Sequence, residues 1–146
     1  MKLAITHTIQ ADRARVFAAL TDPHVLQRCI PGCESMTETA PDEYQATLKV
    51  GVAGLKGTYG GKAAIRDRNP PDSLSLSVDG KGGPGFVRGA AAIRLTDENG
   101  ATRVDCDADV QVGGLIAAVG SRLVDAAAKK MAGEFFQQLS RELTTT

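Results

Sequence analysis

The chain is poor in the large side chains that usually fill a protein core. Its 146 residues include no tryptophan, two tyrosines and four phenylalanines. Aliphatic and small residues must therefore form most of the core, and one domain of this length can bury enough of them to fold without disulfides or metals. No apolar run approaches the roughly 20 residues that a membrane-spanning helix needs.

An excess of charge of one sign is also lacking. The 17 basic residues balance the 17 acidic residues, so the formal net charge is zero. We expect no nucleic-acid partner, because such proteins carry a basic patch and no block of Lys and Arg occurs here. The polar residues spaced along the N-terminus do not fit a signal peptide. Together with an odd number of cysteines, three, these features favour reduced thiols in a cytoplasmic protein.

Two motifs resemble cofactor sites but lack the necessary context. Residues 80–85 match the dinucleotide pattern G-x-G-x-x-G, but that motif has to open a helix. Here Pro84 and the alternating residues after it predict a flexible hairpin loop and a strand. Cys29 and Cys33 have no second pair to complete a zinc site. We therefore expect no metal or other cofactor, and we find no catalytic triad.

Strict alternation marks residues 102–112 as a strand with one buried and one solvated face. Asp105, Asp107 and Asp109 lie on the polar face, so we interpret them as solvated rather than catalytic. The apolar face comprises Val104, Cys106, Ala108, Val110 and Val112.

The same periodicity predicts an antiparallel meander along most of the chain. Because no helical pattern separates the strands from residue 34 onward, parallel βαβ units are excluded. Two short helices precede the meander, with Asp12 and Asp22 as their N-caps and with Pro23–Cys29 as the second. The main predicted strands cover residues 3–9, 44–52, 59–65, 74–78, 87–95 and 102–112.

A long helix is predicted over about Leu115–Leu143, and it has to bury its apolar stripe on the sheet. The fold class is therefore α+β, with a curved antiparallel sheet around a C-terminal helix in a single domain, residues 1–146. The consecutive Phe135 and Phe136 point in different directions, so one of them is expected at the edge of the buried face. The stripe consists of Leu123, Ala127, Met131, Phe135 and Leu139.

Small residues are abundant on the inward-facing positions, which indicates either close backbone contact or space left for a ligand. On the second interpretation we expect a ligand cavity between sheet and helix, with His7, Tyr44 and Tyr59 as polar contacts. His7 has an alternative role as a hydrogen-bonded core residue. The glycine-rich loop and two rings are expected to contact a partner, namely Gly80, Gly82, Gly85, Phe86 and Phe136. The predicted cavity residues are Ile5, His7, Phe17, Tyr44, Leu48, Val50, Tyr59, Ile65, Leu76, Val87, Ile93, Cys106, Ala108, Val110, Val119, Leu123, Ala127 and Met131.

Four stretches in series resemble the family of carbon monoxide dehydrogenase G subunits, within the START-like, helix-grip superfamily. They are Cys29–Gly32, Val50–Tyr59, Gly80–Gly89 and Ala108–Gly120. The resemblance implies about seven strands gripping the C-terminal helix over an apolar cavity. It also implies a role beside a molybdenum-containing dehydrogenase, linking it to the membrane by binding a quinone or lipid-like molecule.

Family members often carry a C-terminal extension that contacts the membrane, whereas this chain ends at Thr146. We therefore expect at most peripheral contact, at the inner face of the cell membrane. The leading hypothesis is a non-enzymatic carrier of an apolar small molecule. The alternatives are a docking or maturation factor for the dehydrogenase without its own ligand, and a small hydrolase or cyclase suggested by analogy of fold.

Overall fold

The computed structural model describes residues 1–52 and 55–144, which form seven strands and four helices. In chain order these are β1 (Lys2–Ile9), α1 (Arg13–Leu20), α2 (Pro23–Cys29), β2 (Cys33–Ala40), β3 (Glu43–Val50), β4 (Gly57–Asn69), β5 (Ser73–Gly82), β6 (Gly85–Glu98), β7 (Ala101–Gly113), α3 (Leu115–Ala118) and α4 (Ser121–Thr144).

The strands form one antiparallel sheet in the order β1-β7-β6-β5-β4-β3-β2. From β2 to β7 each strand pairs with the next along the chain, and β1 pairs with β7 as the edge strand. Helices α1 and α2 carry the chain from β1 at one edge to β2 at the other. The predicted meander and the two short helices after the first strand are confirmed.

Local signals account for the two short helices. The Asp12 side chain accepts a hydrogen bond from the Arg15 amide and caps α1. The Asp22 side chain accepts one from the His24 amide, and Pro23 occupies the first turn of α2, where its missing N–H costs nothing. Both N-caps are as the sequence predicts.

The C-terminal helical region is interrupted, contrary to the prediction of one helix over residues 115–143. The short α3 ends at Ala118 and α4 begins at Ser121. Between them Gly120 has a φ of +98°, a conformation that glycine adopts readily and that a continuous helix does not allow. The break lets the chain turn from the end of β7 onto the concave face of the sheet.

The main hydrophobic core lies under the second half of α4. Leu139 is fully buried and Phe136 is 4% exposed. Both belong to one cluster with α1 and with the inner faces of β1, β3, β4, β5, β6 and β7. Within this core the Thr102 hydroxyl is also fully buried, and it donates to the Ala11 carbonyl oxygen at 2.7 Å.

The predicted stripe of α4 is wrong at Leu123, and the expected exposure of Phe136 is also wrong. Leu123 is 53% exposed, and the adjacent Val124 is buried in its place. Phe136 is buried with its ring edge-on to that of Phe135, so it is not the surface contact that we expected. Ala127 and Leu139 are buried as predicted, so the differences are local. The buried face of α4 includes Val124 and Phe136 and excludes Leu123.

Polar contacts attach the end of α4 to α1 and α2. Arg28 Nε donates to Glu142 Oε1 at 2.5 Å, and Arg15 Nη2 donates to the Leu143 carbonyl oxygen at 2.6 Å. These contacts and the core cluster place the firm attachment of α4 in its second half.

We predict that Leu139→Ala lowers the free energy of unfolding by about 2–5 kcal/mol, because it leaves a cavity in the fully buried core. The same change at the exposed Leu123 is expected to cost less than about 0.5 kcal/mol. Urea unfolding followed by far-ultraviolet circular dichroism measures both. Equal losses for the two variants would contradict the proposed packing of α4.

Candidate functional site

A cavity of about 390 Å³ lies between the sheet and the first half of α4. Val124, Ala128 and Met131 line it from the helix, and the inner faces of β3 to β7 line it from the sheet. Its walls are almost wholly apolar. The volume is within the range of about 300–1,000 Å³ that is typical of small-molecule sites.

A gradient of side-chain size creates this space. Under the second half of α4, large side chains such as Phe136, Ile93 and Tyr44 fill the gap between helix and sheet. Under the first half, several lining positions have instead only alanine or glycine, namely Ala46, Gly61, Ala63 and Gly80 on the sheet and Ala128 on the helix. Because the second half holds the helix at its distance from the sheet, these short side chains do not reach across.

Six of the eighteen predicted cavity residues line the cavity. The structure also adds Gly80, which we expected in a partner-contacting loop. The six are Leu48, Val50, Tyr59, Val87, Val110 and Met131.

Twelve predicted cavity residues lie outside the lining. Phe17, Tyr44, Ile65 and Ile93 belong to the buried core, and Ile5, Leu76 and Cys106 pack against it. His7 stacks on Phe136, with ring centroids 5.5 Å apart. Ala108 pairs with Leu3 and Ala91, Val119 is half-buried in the break before α4, Leu123 is exposed and Ala127 is buried. Our assignment ran along whole strand faces, whereas the cavity occupies only one end of them.

Sequence reasoning missed fourteen lining residues. Ala46, Ala63, Val78 and Val112 share strand faces with predicted residues, so the period-2 pattern contained the signal that could have found them. Val124 and Ala128 follow predicted positions by one residue. Gly61 also shares a strand face with Tyr59, but it has no side chain to mark it as buried. The remaining seven have no such signal, because they lie at the N-terminus, in connections, at the edge strand or on outward-facing positions: Met1, Ile30, Met36, Leu55, Gly60, Lys62 and Asp79.

Of the three expected polar contacts, only Tyr59 lines the cavity. Its hydroxyl donates to the Leu55 carbonyl oxygen at 2.7 Å, and burial raises the pKa of the phenol. A phenol has one proton to donate, so this hydroxyl is already engaged within the chain. Tyr44 is instead buried in the core, and His7 lies against Phe136.

The glycine-rich stretch is a tight hairpin rather than a loop. Gly80 and Gly82 belong to β5 and Gly85 begins β6, so only Gly83 and Pro84 connect the strands. The ring of Phe86 covers Gly113 of the neighbouring strand, with the Arg88 guanidinium 5.0 Å from its centroid. The predicted hairpin is confirmed, and its connection is only two residues long.

Close backbone contact explains other small residues in the same region. A Cβ atom at Gly61 would lie 2.4 Å from the Asp79 carbonyl oxygen, whereas one at Gly60 would meet nothing within 4 Å. Gly82 is similarly close to the Thr58 carbonyl oxygen. Both interpretations of the small residues therefore hold: glycines allow strands to approach, and alanines leave space.

The three free cysteines are poor nucleophiles. Burial raises the pKa of Cys29 to about 11 and raises the pKa of both Cys33 and Cys106. Few thiolates are present at neutral pH as a result. Within residues 1–52 and 55–144, no three His, Cys, Asp or Glu side chains are grouped to hold a metal ion. None of the helices in the described part of the chain is long and apolar enough to cross a membrane.

Comparison with known families shows the family of the chain. Residues 6–144 match the sequence model of the family described as the G subunit of carbon monoxide dehydrogenase (CoxG). The chain belongs to this family. All four stretches on which the resemblance rested fall within the matched CoxG region, so that prediction is confirmed. No curated protein matches the chain.

Solved structures show the same fold for this CoxG-family chain. A conserved protein from Geobacillus kaustophilus is 33% identical with a TM-score of 0.95, over 98% of this chain and 95% of that one. A START superfamily protein from Mycobacterium smegmatis is 13% identical with a TM-score of 0.74, over 97% and 96%. A Thermus thermophilus protein is 14% identical with a TM-score of 0.73, over 98% and 97%. The START-like fold that the resemblance implied is confirmed.

We predict that Gly61→Ala lowers the free energy of unfolding by about 1–3 kcal/mol, because the added methyl group would overlap the backbone of β5. Gly60→Ala is the matched control at the preceding position, and it is expected to be neutral or to stabilise by up to about 1 kcal/mol. Urea unfolding of the two variants checks this. Similar values for both would contradict the close approach of β4 and β5.

Proposed function

We propose that this protein is a non-enzymatic accessory of a carbon monoxide dehydrogenase-type molybdenum enzyme and that it carries a quinone or lipid-like molecule in its cavity. The observation that carries the proposal is the apolar space of about 390 Å³ under the first half of α4. Membership of the CoxG family supports the choice of enzyme partner. The carrier links the enzyme to the membrane by moving the apolar molecule between them.

The chemistry of the cavity favours a ligand that is mostly apolar. Each 100 Å² of apolar surface removed from water contributes about 2.5 kcal/mol. Tyr59 is the tyrosine in the lining, and its proton is engaged by Leu55. Affinity therefore depends on apolar contact and shape, and the volume suits a ring with a short tail better than a long chain.

The placement of the titratable groups supports a role other than catalysis. His7 stacks on Phe136 in the core, and the aspartates of β7 alternate with the residues that face the cavity. Lys62 and Asp79 border the cavity, but both are exposed on outward-facing strand positions. General acid–base catalysis needs such a group within hydrogen-bond reach of the substrate.

We predict that Ala128→Phe abolishes ligand uptake, because the added ring fills the space next to Met131. Ala126→Phe is the matched control, since Ala126 is exposed on the same helix two residues earlier. Native mass spectrometry of protein purified from its own host, and of purified protein mixed with a short-tailed quinone, measures occupancy.

We expect the wild type and the Ala126→Phe variant to take up the ligand, and the Ala128→Phe variant to take up none. A wild-type protein that arrives empty and takes up neither quinone nor lipid would contradict the carrier function. Co-purification of an empty protein with a dehydrogenase would then support the docking or maturation factor.

We further predict that Tyr59→Phe changes quinone affinity by less than about threefold. A quinone carbonyl needs a hydrogen-bond donor, and the Tyr59 hydroxyl already donates its hydrogen bond to the Leu55 carbonyl oxygen. The variant should lower the free energy of unfolding by about 0.5–1.5 kcal/mol, the net value of one hydrogen bond. Titration with a short-tailed quinone and urea unfolding measure the two effects. A tenfold or greater loss of affinity would show that Tyr59 donates to the ligand.

A further inference from the structure

The charges are unevenly distributed although their sum is zero. Residues 44–66, 80–96 and 110–124 contain no aspartate or glutamate. These three segments include the connections β3–β4, β5–β6 and β7–α4. The three connections lie at the same end of the sheet, because successive antiparallel strands turn back at alternate ends. This end, called the cavity end below, carries the exposed basic residues Lys49, Lys56, Lys62, Lys81, Arg88 and Arg122.

Most of these cations have no internal partner. Arg88 pairs with Asp79 at 3.4 Å. Among the described residues, Lys49, Lys56, Lys62, Lys81 and Arg122 form no salt bridge.

Cations elsewhere in the molecule are neutralised more often. Arg68 pairs with Asp42, Arg28 with Glu142, and Arg103 with both Glu98 and Asp105. The cavity end is therefore the part of the described surface where positive charge accumulates without compensation.

The same end exposes two large apolar side chains. Leu115 in α3 is 71% exposed and Leu123 in the first turn of α4 is 53% exposed. The intervening Ile116 is fully buried, and its amide donates to the Pro84 carbonyl oxygen at 2.9 Å. This contact fixes α3 against the β5–β6 hairpin with Leu115 pointing outward.

We propose that the cavity end docks on an anionic lipid surface. The lysines lie against the negative headgroups, and Leu115 and Leu123 enter the interface between headgroups and acyl chains. This combination of exposed apolar side chains with surrounding basic residues is how peripheral proteins bind acidic membranes. The inference rests on the proposed function, because docking brings the apolar cavity to the bilayer in which a quinone or lipid resides.

Charge and residue type favour a lipid surface over a protein partner. Four of the five unpaired cations are lysines, and lysine is depleted in protein–protein interfaces. Anionic lipids attract each basic residue near the surface without requiring a fixed geometry. The three segments contain no acidic residue, and Asp79 at their border is paired with Arg88, so little negative charge at this end opposes contact with such a surface.

The test is co-sedimentation of the full chain with vesicles of phosphatidylcholine alone and of phosphatidylcholine mixed with phosphatidylglycerol. The wild type should bind only the anionic vesicles, and about 0.5 M salt should release it by screening. The triple variant Lys49→Glu, Lys56→Glu, Lys81→Glu should bind at least about a hundredfold more weakly, since each lysine contributes roughly fivefold. Leu115→Ser with Leu123→Ser should also weaken binding.

The matched control is Arg66→Glu, Arg94→Glu, Lys130→Glu, which makes the same change in net charge away from the cavity end. It should bind like the wild type. Equal losses for the two triple variants would overturn the proposal, because binding would then follow net charge alone. The proposal would also be overturned if the wild type bound no vesicles. The same holds if the first triple variant still bound vesicles but no longer captured the dehydrogenase.

Ligand occupancy of the same variants is measured by native mass spectrometry with a short-tailed quinone added in solution. Occupancy without vesicle binding would refute the docking surface alone and leave the carrier function intact. Vesicle binding by a protein that takes up no quinone or lipid would refute the carrier function instead.

Discussion

Helix α4 is packed firmly against the rest of the protein along only part of its length, and the other features of the molecule depend on this. In its second half, Phe136 and Leu139 enter the core, and Arg15 and Arg28 attach its end to α1 and α2. A fully buried side chain of this kind stabilises the fold by about 1.5–3 kcal/mol. This attachment fixes the position of the first half of the helix, which faces several alanines and glycines. A gap therefore remains between the first half and the sheet.

The gap has a definite physical origin in the sequence. Where β4 and β5 approach closely, Gly61 is required because a side chain there would overlap the Asp79 carbonyl. Where the cavity lies, the side chains of Ala46, Ala63 and Ala128 are too short to fill the space between helix and sheet. A protein interior is normally packed to the density of an organic crystal. The apolar space of about 390 Å³ departs from that density, and the proposal of an apolar ligand rests on it.

Sequence patterns predicted the elements of this fold better than its site. Alternation in residues 102–112 and the caps at Asp12 and Asp22 depend on local chemistry, and the structure has them as predicted. The break at Gly120 was missed because an isolated glycine also occurs within helices. The cavity residues were assigned along whole faces, since periodicity shows which side of a strand is buried. The position along the sheet at which the packed core ends and the cavity begins depends on how α4 is attached. No local sequence pattern indicates that position.

A crystal structure of the protein with a short-tailed quinone would show whether an apolar ligand lies between α4 and the sheet. We expect electron density for the ring and tail between Met131 on the helix and Val50 and Val110 on the sheet, with Phe136 and His7 still stacked beyond the end of the ligand. Density at any other place, or a cavity closed by movement of α4 onto the sheet, would contradict this expectation.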